Sequence, residues 1–88
     1  MEAVQEQMKP KAHAVTILVN EKEVTMPDRQ ATGRQIKQAA IAQGVQIDLG
    51  FVLTEELGHH KTRIVGDEDV VQLHEHARFV AVAPDDNS

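Results

Sequence analysis

There is no cysteine, tryptophan or tyrosine in this chain, and only two phenylalanines and three prolines. Without cysteine, neither a disulfide framework nor a thiolate metal site can support the fold. That composition fits a reducing compartment, and a cytoplasmic location is expected. The shortage of aromatic rings removes the platforms on which single-stranded nucleic acids stack. Basic residues are scarce as well, with nine Lys and Arg against fourteen Asp and Glu and a formal charge of −5. A nucleic-acid partner needs a cationic face, so none is expected. No apolar run approaches the length of a membrane-spanning helix. The polar opening stretch, which contains Pro10, does not read as a signal peptide.

What is present suits one small domain with a thin core, since the chain has 88 residues. An enzyme is not expected at this size, because a catalytic pocket needs walls. The stretch Gln30 to Gly44, QATGRQIKQAAIAQG, is the one good amphipathic helix. Thr32 can cap its start, and Gln35 stands three residues on, which is capping-box spacing. Ile36, Ala40 and Gln43 form an i, i+4, i+7 row that Ala39 widens into a narrow stripe. Gly44 stands where a left-handed residue ends a helix. Arg34 and Lys37 are expected on the outer face, as solubilising charges.

The other apolar runs are strand-like. Val15, Ile17 and Val19 alternate with Ala14, Thr16, Leu18 and Asn20. A polar turn at Asn20-Glu21-Lys22 leads to a second strand from Glu23 to Met26, ended by Pro27. After the helix, Val45 and Ile47 can fold back onto the core, and Gly50 to Glu55 reads as a third strand. Glu56 to His60 reads as a loop, Lys61 to Val65 as a short fourth strand, and Gly66 to Asp69 as a turn. Val70 to Leu73 is apolar but short, suited to an irregular or 3₁₀ segment, and Arg78 to Ala83 is the last strand. Residues 1–12 read as a disordered arm, 13–83 as the folded domain and 84–88 as a flexible tail. Strands with one interposed helix imply an α+β layer pair. The first and last strands, the most continuous, should pair in parallel at the sheet centre.

This order resembles the ubiquitin-like β-grasp fold, a mixed sheet of four or five strands with one helix packed across it. The stretches VTILVNEKEVTMPD, ATGRQIKQAA and GDEDVVQLHEHARFVAVAP are similar to bacterial ubiquitin-like proteins of the multiubiquitin-domain type, found beside conjugation enzymes. The resemblance implies a protein modifier with no chemistry or cofactor of its own. Its C-terminal carboxylate would be adenylated by an E1-like enzyme, passed to an E2-like carrier as a thioester or oxyester, and attached to a target protein. A maturation or deconjugating protease is a further implied partner. The conjugation tail would be Asp85, Asp86, Asn87 and Ser88, with Asp85 and Asp86 able to pair with basic residues of an activating enzyme. Ubiquitin ends in Gly-Gly, whereas no glycine follows Gly66 here. Three readings follow: an enzyme with a wider channel, trimming of Ser88 to leave Asn87 as the reactive end, or a β-grasp adaptor that is never conjugated.

An adaptor would dock through the sheet. With Val15, Ile17 and Val19 turned to the helix, Leu18, Val52, Val80 and Val82 should share the opposite face as a partner-binding patch. Lys9 and Lys11 in the mobile arm are the expected acceptor lysines, should one copy be joined to another. His59, His60, His74 and His76 read as solvated loop residues. His74 and His76 flank Glu75, but no third ligand stands at a recognisable spacing, so no metal is expected.

Overall fold

The structure, a computed structural model, describes residues 14–84. In chain order the elements are β1 (Val15–Val19), β2 (Lys22–Met26), β3 (Gln30–Thr32), α1 (Gly33–Ala42), β4 (Val52–Gly58), β5 (Lys61–Val65), β6 (Val70–Gln72) and β7 (Arg78–Val82). Five strands form one mixed sheet in the order β2-β1-β7-β4-β5. β1 and β7 are parallel at its centre, and the other pairings are antiparallel. β3 and β6 form a separate two-stranded antiparallel ribbon. This is the expected ubiquitin-like β-grasp architecture, with one helix across one face of the sheet.

The alternation in β1 produces the core directly. Val15, Ile17 and Val19 are buried with Val24 of β2, Leu53 of β4 and Phe79 of β7, and Ile36 and Ala40 of α1 cover them. Val45 and Ile47 fold back onto this core, as the sequence suggests. Phe79 is the largest fully buried side chain. In so small a core its loss would cost about 3–5 kcal/mol.

Both ends of α1 are closed by the expected residues. The Thr32 hydroxyl accepts from the Gln35 amide at 3.1 Å, and the Gln35 carboxamide accepts from the Thr32 amide at 2.9 Å. At the other end, Gly44 has φ +98°. The Val45 amide reaches the Ala40 carbonyl and the Gly44 amide reaches that of Ile41. That pair of bonds is a Schellman closure, which a left-handed residue permits.

Four expectations need correction. Gln30 and Ala31 precede the helix and form β3, with Thr32 shared between strand and cap. Val70–Gln72 is not an irregular turn but the strand that pairs with β3. Each of these three-residue segments is too short to show a period, and each is specified by the other. The expected loop Glu56–His60 is mostly strand, because β4 runs on to Gly58 through a bulge. His59 and His60 alone make the turn, with φ of +53° and +64°. Two successive positive φ values define a type I′ hairpin turn, and His-His is not its usual sequence. Finally, Lys37 is 4% exposed and lies inward. No helix among the described residues is long and apolar enough to cross a membrane.

Candidate functional site

One face of the sheet carries the helix and the other is open. The pleat that buries Val15, Ile17 and Val19 turns Thr16 and Leu18 to the open side. The same alternation turns Arg78, Val80 and Val82 of β7 outward, while Phe79 and Ala81 are buried. β4 adds Val52 and Thr54, with Leu53 and Glu55 buried. Register then decides which side chains meet. Val52 lies opposite Val82, and Thr54 lies opposite Val80 on one side and Ile64 of β5 on the other. Leu18 is in register with Arg78 on one side and Glu23 on the other.

All four residues expected in an interaction patch therefore share this face. Val52, Val80 and Val82 adjoin across β4 and β7, whereas Leu18 sits at the patch margin between two opposite charges. Val82 is 51% exposed, and Leu18, Val52 and Val80 are half-buried. Ile64, 70% exposed, belongs to the same face and was not anticipated. The alternation of Thr62 and Ile64 with Arg63 and Val65 carried that signal, but a five-residue edge strand gives no phase without its neighbour.

β7 sends the chain away from the sheet centre beside this face. Asn20, at the end of β1 with φ +52°, fixes that exit. Its carboxamide donates to the Ala81 carbonyl at 3.0 Å and accepts from the Ala81 amide at 2.8 Å. The Asn20 amide itself donates to the Phe79 carbonyl. A side chain thus extends the parallel ladder past the last residue of β1. Ala83 and Pro84 follow, exposed. The expected tail residues Asp85, Asp86, Asn87 and Ser88, the arm 1–12 and its acceptor lysines Lys9 and Lys11 lie outside the described residues.

The remaining lysines divide sharply. Lys22 and Lys61 are exposed, and Lys37 is not. The Lys37 ammonium donates to the carbonyls of Leu49 at 2.6 Å and Phe51 at 2.8 Å, and pairs with the Asp67 carboxylate at 2.8 Å. One cation ties the helix to the approach of β4 and to the turn after β5. The hydrogen bond from Lys37, and the positive charges of Lys37 and Arg34, hold the Asp67 carboxyl below the usual carboxylate range despite some desolvation. Asp67 and Asp69 are thus structural members of the Gly66 to Asp69 turn. Asp69 also accepts from the Gly66 amide at 2.7 Å.

His59, His60, His74 and His76 are all exposed. Among the described residues, no group of three or more His, Cys, Asp or Glu side chains is arranged to hold a metal. A second charged residue escaped notice in the sequence: Glu55 is buried facing inward, and Arg63 of β5 covers it with an ion pair of 2.7 Å.

No curated protein and no solved structure gives a significant match to this chain. A family model does match, over residues 15–85, and it describes multiubiquitin. Those limits run from the first residue of β1 to just beyond Pro84, so they take in the whole sheet, the helix and the ribbon. With the fold and the family model in agreement, the chain belongs to the multiubiquitin family.

Proposed function

We propose that this chain is a ubiquitin-like protein modifier and that the segment after β7 carries the carboxylate joined to targets. In this reading the chain is a substrate of its enzymes and not a catalyst. An E1-like enzyme would direct the carboxylate at the α-phosphorus of ATP, giving an acyl adenylate and releasing pyrophosphate. A thiol or hydroxyl on the activating enzyme or an E2-like carrier would then displace AMP. A target amine would displace the carrier and form an amide, returning the thiol or hydroxyl. Asp85 to Ser88 are the segment concerned, with Asn87 the reactive end if a protease removes Ser88.

The observation that carries this reading is the exit of the chain from β7. The strand is central, pinned on both sides, and clamped at Ala81 by Asn20. A rigid body therefore fixes the point at which Ala83 and Pro84 leave the sheet, as an enzyme that grips the body and threads the tail requires.

A non-conjugated adaptor is the second reading, and the aliphatic open face favours it. Val52, Val80, Val82 and Ile64 lie together there with few charges among them. Tagged protein expressed in its native cells and purified under denaturing conditions separates the two. The modifier reading expects branched peptides linking a residue between Asp85 and Ser88 to a target amine, and their loss when Asp85 to Ser88 are deleted. Absence of any adduct, with a native complex that survives the deletion but is lost on Leu18→Asp or Val80→Asp, would establish the adaptor instead.

A further inference from the structure

The chain enters β1 beside a groove between the end of β2 and the helix. Val15, the first residue of β1, is in register with Met26, the last of β2. Met26, Pro27, Ala31 and Ala39 supply the apolar lining of this groove, whose volume is about 300 Å³. The rest of the lining is neutral amide, apart from the carboxylate of Asp28. Arg29 follows Asp28 in the chain but does not line the groove. On the β7 side of β1, the Glu75 carboxylate accepts from the Thr16 amide at 3.2 Å. The start of β1 therefore lies between two acids and next to an apolar surface.

Thirteen residues of the sequence come before Ala14, and they include the apolar Val4 and Met8 and the cations Lys9 and Lys11. We propose that this segment docks on its own domain, with Val4 and Met8 in the groove and Lys9 and Lys11 against Asp28 and Glu75. Reach allows it, because six residues separate Met8 from Ala14, up to about 20 Å of chain. Val4 and Met8 stand four apart, so one helical turn ahead of Pro10 sets both on one side. Direction excludes the other terminal segment. β7 runs parallel to β1, so Pro84 leaves from the opposite end of the sheet. Asp85 to Ser88 span at most about 14 Å, less than the roughly 17 Å of β1 itself, and they are polar throughout. Tethering disfavours a second copy. A segment joined this close to its site is present there at an effective concentration on the order of millimolar, far above that of another copy in dilute solution.

The experiment is paramagnetic NMR on the full chain. Cysteine is absent from the sequence, so Glu6→Cys carries a nitroxide label at one position only. The expected result is line broadening concentrated at the amides of Asp28, Ala31, Gln38 and Ala39, and weak at Ile64 and Val82. Adding Met8→Asp should weaken the docked state on the order of tenfold, read as lost broadening at those four amides. Lys9→Glu with Lys11→Glu should weaken it severalfold, and so should raised salt. All of these substitutions precede Ala14 and leave the packed domain untouched. Broadening spread evenly over the domain, or broadening that survives either set of substitutions, would overturn the proposal. So would broadening of an isotope-labelled chain by a separate spin-labelled one mixed with it, which would assign the groove to a second copy. The readout concerns the groove alone and stands or falls apart from any conjugation of the tail.

Discussion

The Lys37 ammonium and the Asp67 carboxylate meet at 2.8 Å, although one belongs to the helix and the other to the turn after β5. Because Lys37 also holds the Leu49 and Phe51 carbonyls, its substitution strands several acceptors together. Lys37→Met keeps most of the side-chain volume and removes every donor. Stability should fall by about 2–4 kcal/mol, read as a lower urea midpoint. Lys37 is likewise expected to resist acylating reagents in the folded state, whereas Lys22 and Lys61 react.

The same pair gives the domain an acid-sensitive component. The carboxyl of Asp67 is held below its ordinary value of 3.8, so the folded state binds its proton more weakly than the unfolded state does. The stabilisation is therefore present in full above the ordinary value and is lost as pH falls below it, through the lowered one. Urea midpoints measured from neutral pH into this acid range should decline for the wild type. Asp67→Asn should start lower at neutral pH and decline less, because its side chain cannot titrate.

Gly33 opens the helix against the carbonyl of Gly66. A Cβ at position 33 would run into that oxygen and stand 3.0 Å from its carbon, both backbone atoms that cannot swing aside, with the Val65 side chain at 3.1 Å. Gly33→Ala should therefore destabilise the domain by about 1–3 kcal/mol in spite of alanine's better helix propensity. A thermal melt that rose on this substitution would mean the helix start and the turn after β5 are not packed as described.

Gln43 gives a prediction about association as well as stability. Gln43→Ala would release the Thr25 amide and carbonyl on an outer strand. A loss of about 1 kcal/mol is expected. Sedimentation should also show concentration-dependent self-association absent from the wild type, because the exposed edge of β2 becomes available.

The His59-His60 turn predicts a gain. Both residues hold left-handed φ values that cost an ordinary side chain energy, and Asn-Gly suits the same turn. The double substitution His59→Asn, His60→Gly should raise stability by about 1 kcal/mol. If the turn instead matters for binding, the gain in melting temperature would come with weaker partner capture.

Elements whose pattern is local were legible from the chain alone. Val15, Ile17 and Val19 specify the buried side of β1, Thr32 and Gln35 specify the helix start, and Gly44 its end. The same alternation placed Leu18, Val52, Val80 and Val82 on one face, although not which of them adjoin. What was missed depends on partners distant in sequence. Lys37 looks like a surface residue until the Leu49 and Phe51 carbonyls and Asp67 are brought around it. β3 and β6 carry too few residues for a period, and each is a strand only because the other is there. Ile64 joined the open face through its register with Thr54, which no reading of the fourth strand in isolation supplies.

The Asn20 clamp also determines how the domain bears load. Because β1 and β7 run parallel, a pull that separates Ala14 from Pro84 slides the two strands lengthwise past one another. Their ladder bonds, with the two bonds between Asn20 and Ala81 at its far end, are then strained together and not peeled one by one. A molecular machine that tugs this domain by Pro84 while the start of β1 is held would load these bonds in shear.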